Sequence, residues 1–90
     1  MLSATVPVTN RLGLHARAAA QLVKLASSFQ SNITLLRPET SASANARSIL
    51  NILTLAAVNG TTLEIVADGE DEAAALAAIR ELFARGFGEE

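Results

Sequence analysis

Apolar and polar side chains alternate over residues 4–8, with Ala4, Val6 and Val8 on one side and Thr5, Pro7 and Thr9 on the other, the two-residue period of a half-buried strand. Pro7 has no amide hydrogen to give to a ladder, which predicts an edge position. After a turn over residues 10–13 the period changes. Ala19, Leu22, Val23, Ala26 and Phe29 recur at three- and four-residue spacing, one face of a helix that starts beside position 15. Ile33 and Leu35 then alternate with Thr34, Arg37-Pro38-Glu39-Thr40 supplies turn chemistry, and Ser41-Ala42-Ser43-Ala44 alternates again, so a hairpin is predicted. Helical spacing returns at Ile49, Ile52, Leu53 and Ala56. Asn45 or Ser48 is placed to cap the first turn of that helix, and Asn59-Gly60 to end it. Residues 61–67 set Leu63 and Ile65 against Thr62 and Glu64 as a last strand. The acidic run Asp68-Gly69-Glu70-Asp71-Glu72 follows, where the positive dipole end of a final helix would lie. That helix carries Leu76, Ile79 and Phe83 on one face with Ala75 and Leu82 beside them, and Arg80 and Arg85 near its negative end before Gly86.

The predicted order is therefore β-α-β-β-α-β-α, an α+β class. Strands with one polar face and helices with one apolar stripe pack most economically as two layers, with all three helices on one side of a four-stranded antiparallel sheet. Ninety residues, half of them apolar, are enough for one core and one domain spanning residues 1–90. The absence of cysteine removes disulfide frameworks, thiolate metal sites and thiol nucleophiles, and makes a cytoplasmic location the simpler expectation. The first residues lack the basic start and apolar run of a signal peptide, and no later run approaches membrane-spanning length. A soluble protein without membrane partners is expected. A formal charge of −2 and only three aromatics, Phe29, Phe83 and Phe87, give neither a basic field nor a stacking platform, which argues against nucleic-acid binding.

His15 is the only histidine, and it falls between a glycine-containing turn and a helix start, where unpaired amides and the helix dipole favour anions. An imidazole offers a nucleophilic ring nitrogen near neutral pH, and its phosphoramidate is reactive enough to pass the group on. The backbone amides of Ala16, Arg17 and Ala18, with the Arg17 guanidinium, are suited to stabilise the charge that gathers on the phosphoryl oxygens during transfer. That chemistry needs no metal or other cofactor. The competing reading of a lone histidine at a helix start is a cap or surface residue.

Gly13-Leu14-His15-Ala16-Arg17 followed by Ala19-Ala20-Gln21-Leu22-Val23-Lys24 resembles the active-site segment of HPr, the histidine-containing phosphocarrier family of the bacterial phosphotransferase system. Ser41-Ala42-Ser43-Ala44 leading to Arg47-Ser48-Ile49-Leu50, and Ile65-Val66-Ala67-Asp68-Gly69-Glu70-Asp71-Glu72, resemble the family's later motifs in the same order. The resemblance implies an open-faced β-sandwich, phosphorylation of His15 at Nδ1 by Enzyme I, Arg17 as phosphoryl-binding partner, and delivery to a histidine of an Enzyme IIA domain. It places partner docking around Ala20, Ile49, Leu50 and Leu53, with Leu50 and Leu53 the better surface candidates. Ala18 departs from the pattern, since the family generally has proline there; a slightly looser helix entry with one extra amide donor is expected. Ser48 matches a serine that HPr kinase/phosphorylase modifies in some members, mainly of Gram-positive bacteria, although an N-cap explains it equally. A monomer suits a carrier that docks two partners in turn.

Two branches of the family share this chemistry, sugar-transport HPr and the nitrogen-related NPr. The rather long hairpin through residues 37–41 and the ending Leu82-Phe83-Ala84-Arg85-Gly86-Phe87-Gly88-Glu89-Glu90 resemble NPr, whereas Arg47-Ser48-Ile49 fits the wider pattern. A non-catalytic docking module regulated at Ser48 is the alternative of another class, and retention of both His15 and Arg17 argues against it. A hydrolase is disfavoured because Ser48 and His15 form no triad with a placed acid. The expected role is a carrier consumed and regenerated rather than a turnover enzyme.

Overall fold

The computed structural model describes residues 1–89. Strand β1 (Leu2–Pro7) is followed by helix α1 (Ala16–Ala26), strands β2 (Asn32–Arg37) and β3 (Ala42–Asn45), the short helix α2 (Ile49–Leu53), strand β4 (Thr62–Asp68) and helix α3 (Glu72–Ala84). The four strands form one antiparallel sheet in the order β1-β4-β2-β3. β1 is an edge strand, as Pro7 requires. The register sets Val6 opposite Leu63, Leu35 opposite both Ile65 and Ala44, and Ile33 opposite Ala67. These side chains share one face and are all buried. Thr5, Thr34, Leu36, Ser43, Glu64 and Val66 alternate with them on the other face and keep partial or full exposure, so the sheet is covered on one side only.

The covering layer is the expected set of helical stripes. Ala18, Ala19, Leu22 and Ala26 of α1, Ile52 of α2, and Ala75, Leu76, Ile79, Leu82 and Phe83 of α3 join the buried strand residues in one core. Burying a side chain of the size of Leu or Ile contributes about 1.5–3 kcal/mol. Around α3 the acidic residues have specific partners. Asp71 stands at the N-cap but does not cap: its carboxylate accepts hydrogen bonds from the Gln30 and Ser31 amides at 2.8 and 2.9 Å and from the Ser31 hydroxyl. Those bonds tie the end of the α1–β2 connection to the start of α3. Glu72 accepts from the Gly69 amide at 3.1 Å and the N-terminal amine at 3.0 Å.

Three local expectations are corrected. Phe29 does not continue the α1 face; the helix ends at Ala26 and Phe29 packs half-buried from the turn that follows. α2 ends at Leu53, so Ala56 is not on it but is exposed at φ 51°, and Leu55 is buried in its place. The chain turns there because the Arg37 guanidinium takes the carbonyls of Leu55 and Ala56 at 2.7 and 3.0 Å, and because the Ala57 carbonyl must reach the Leu14 amide at 2.9 Å. Asn59-Gly60 accordingly turns the chain into β4 rather than ending a helix.

Candidate functional site

The turn before α1 is built around Gly13. Its φ is 69°, and a Cβ there would lie 2.5 Å from the Ala57 carbonyl oxygen and 2.8 Å from the Val58 Cα, so only glycine fits. Asn10, itself buried, holds the turn from within: its Nδ2 donates to the Gly13 carbonyl at 2.7 Å. Leu14 is buried and its amide donates to Ala57. The next residue, His15, is thereby fixed as the N-cap of α1.

His15 has extended backbone angles (φ −82°, ψ −178°) and its carbonyl accepts the first helical hydrogen bond, from Ala19 at 2.8 Å. Its Nδ1 accepts from the Arg17 amide at 3.3 Å, the geometry of a side-chain cap. The half-buried ring sets Nδ1 against the Arg17 amide, in a first turn whose amides have no intrahelical acceptor and where the dipole is positive. The Arg17 side chain is exposed and lines a shallow hollow with Arg11, Leu12, His15, Gly88 and Glu89. Ala18 contributes its amide to the same turn while its methyl is fully buried in the core. Among the described residues no cluster of three or more His, Cys, Asp or Glu is placed to hold a metal, and no helix is long and apolar enough to cross a membrane.

The site holds two residues that sequence reasoning did not single out. Glu89 reaches back to place one carboxylate oxygen on the Asn10 Nδ2, at 3.0 Å, and the other on the His15 Nε2. The Asn10 amide first, and the His15 ring second, hold the Glu89 carboxyl below the usual carboxylate range. Neither residue belongs to an apolar period, and they lie 79 positions apart. The one sequence signal was the pair of glycines that brackets Phe87 just before Glu89.

The residues expected to dock partners lie at the surface. Leu50 is 77% exposed, Ile49 and Leu53 are partly so, and Ala20 faces outward from α1, whereas Ile52 is the residue of α2 that packs inward. Leu12 and Val58, not foreseen, add exposed apolar surface beside the His15 turn. Ser48, and not Asn45, caps α2, its Oγ accepting from the Asn51 amide at 3.2 Å. Asn45 instead accepts from the Arg47 amide at 2.9 Å.

An open-faced sandwich that displays one histidine at a helix N-terminus, with a cation two residues on and only shallow hollows around it, presents a nucleophilic ring nitrogen at an anion-binding surface rather than in an enclosed substrate pocket. A family model described as "PTS HPr component phosphorylation site" matches residues 2–85. Phosphocarrier protein HPr of Xylella fastidiosa (strain Temecula1) is 48% identical over 90 residues, covering 100% of this chain and 99% of that one. Phosphocarrier protein NPr of Escherichia coli (strain K12) is 41% identical over 86 residues, covering 96% and 94%. The crystal structure of HPr-C-His from Thermoanaerobacter tengcongensis superposes with a TM-score of 0.94 at 38% identity, covering 100% of this chain and 99% of that one. The chain belongs to the HPr family, the phosphocarriers of the phosphotransferase system.

Proposed function

We propose that His15 is the phosphoryl acceptor of this phosphocarrier, that the group is received on Nδ1 from Enzyme I, and that it is passed to a histidine of an Enzyme IIA domain. The observation that carries this reading is the direction of Nδ1, which already accepts the Arg17 amide at the start of α1. A phosphoryl group on that atom would take the place of the Nδ1 lone pair at the Arg17 amide and meet that amide together with those of Ala16 and Ala18 and the Arg17 guanidinium, donors suited to the charge of the transferring oxygens. The exposed apolar residues Leu12, Ile49, Leu50, Leu53 and Val58, with Ala20, supply a docking surface that two partners use in turn. The protein acts as a one-domain cytoplasmic monomer without metal or cofactor, and Ser48, whose Oγ only accepts in its cap hydrogen bond and so keeps its proton, is the residue that a regulatory kinase would modify.

Incubation with phosphoenolpyruvate and a cognate Enzyme I labels the wild type with acid-labile phosphate and leaves His15→Ala unlabelled. Equal labelling of the two, or none in the wild type, would refute the assignment. Relatives named HPr and NPr both match over nearly the whole chain, so comparing sugar-type with nitrogen-type Enzyme I in the same assay assigns the branch.

A further inference from the structure

Beyond α3 the chain makes a left-handed turn. Gly86, Phe87 and Gly88 have φ of 60°, 59° and 74°. Glycine takes such angles freely, but for Phe87 they cost about 1–2 kcal/mol, so contacts outside the backbone must hold the residue there. The Phe87 ring is buried edge-on against Phe83, with centroids 4.9 Å apart and planes at 69°. Its carbonyl accepts from Gln21 Nε2 at 3.1 Å. The anchored turn delivers Glu89 to the start of α1, where its carboxylate bridges Asn10 and His15.

The hydrogen-bond inventory then fixes the ring. Asn10 Nδ2 donates to both the Gly13 carbonyl and Glu89, which sets the amide orientation. A carboxylate accepts only, so the proton lies on Nε2 of His15, and Nδ1, accepting from the Arg17 amide, carries the lone pair. Which ring nitrogen is protonated is set by the partner of the other.

We propose that Glu89 is a positioning residue for phosphoryl transfer: it holds His15 as the Nε2–H tautomer and keeps that proton in place while Nδ1 bears the phosphoryl group. This rests on the reading of His15 as acceptor. In the receiving step the donor histidine's N–P bond breaks and its electron pair stays with the donor ring. The Nδ1 lone pair forms the new N–P bond, and the ring, still protonated at Nε2, becomes a cation beside the Glu89 carboxylate. In the delivering step the acceptor nitrogen attacks phosphorus, the Nδ1–P pair returns to Nδ1, and neutral imidazole leaves. No proton moves at His15 in either direction. Were the Nε2 proton lost, the leaving group would be an imidazolate anion, a far poorer one.

Glu89→Gln separates charge and tautomer from mere contact. A glutamine has one acceptor oxygen for two donors: turned to His15 its amide nitrogen opposes Asn10, and turned to Asn10 it donates to Nε2 and favours the Nδ1–H tautomer. In ¹⁵N spectra of the unphosphorylated protein at mildly alkaline pH, the wild type shows Nε2 as the protonated nitrogen, whereas Glu89→Gln and Glu89→Ala show mixed tautomers. Transfer from phosphorylated His15 to an Enzyme IIA falls at least about tenfold in both variants, the scale seen when a histidine's orienting partner is removed, with backbone amide spectra reporting an unchanged fold. Labelling of wild-type His15 with unaltered tautomer and transfer rate in the variants overturns the role of Glu89 and leaves His15 as acceptor. Absence of label on wild-type His15 overturns both.

Discussion

Replacing Gly13 by alanine tests whether one backbone contact supports both the fold and the site. An L-residue at φ 69° costs about 1–2 kcal/mol. The added Cβ would meet the Ala57 carbonyl oxygen at 2.5 Å and the Val58 Cα at 2.8 Å, against an ordinary carbon–oxygen approach of about 3.3 Å. Neither neighbour is a side chain that can swing away, so the two segments must separate. Separation stretches the hydrogen bond from the Leu14 amide to Ala57, worth about 1 kcal/mol. The sum is about 2–3 kcal/mol. Gly60→Ala is the control, since Gly60 also has a left-handed φ, 93°, but open space where a Cβ would go; its cost is the backbone part alone. Urea unfolding of the two variants should therefore differ by at least about 1 kcal/mol. Gly13 also accepts from Asn10 and from the His15 amide, so its displacement moves the cap of α1. Phosphoryl acceptance should then fall more in Gly13→Ala than in Gly60→Ala at temperatures where both are folded, because an error of about 1 Å in the reacting group can cost about a hundredfold. Equal stabilities and equal acceptance rates for the two variants would refute the argument.

Further outcomes follow from the surfaces and caps. Leu50→Ser should change stability by less than about 0.5 kcal/mol, yet raise the KM for phosphorylation by Enzyme I, whereas Ile52→Ala on the same short helix should cost about 2–5 kcal/mol in denaturant. Ser48→Ala should lose about 1 kcal/mol of stability. Ser48→Asp keeps the cap and so stays near wild type in thermal unfolding, but sets a negative charge beside Ile49 and Leu50 that should weaken transfer. The Asp71 carboxyl is held below its ordinary 3.8 by the Ser31 hydroxyl and the Gln30 and Ser31 amides. Its contribution is therefore present above that value and disappears as pH falls through the lowered one. Acid titration of stability should show the gap between wild type and Asp71→Asn closing below pH 3.8, and a gap independent of pH would contradict it.

Most of the architecture was legible because burial imposes its period directly on the sequence. Ala19, Leu22 and Ala26, and Leu76, Ile79 and Phe83, are apolar at helical spacing for the same reason that they are buried. Pro7 likewise announced an edge, and Ser48 a cap. Where the expectation failed, the deciding contact lay far along the chain. Nothing near Ala56 says that Arg37, 19 residues earlier, will take its carbonyl and turn the chain, and the apolar spacing of Ile49, Ile52, Leu53 and Ala56 continues past the point where the helix stops.

The site divides along the same line. Local grammar was enough to place His15 at the start of α1 beside Arg17, because glycine turn and helix start are neighbours in sequence; the cap, the competing reading of a lone histidine there, is what the ring also forms. It also orients one ring nitrogen, through the amide two residues on. The opposite nitrogen is oriented by a residue 74 positions away, held by a turn whose only marks are Gly86 and Gly88 around Phe87. The lone-pair direction at Nδ1 is thus specified twice, once by the start of α1 and once by the tail after α3. The two constraints fail independently: loss of the tail contact frees the ring proton but leaves the helix amides in place, whereas loss of Gly13 shifts the amides and the ring together.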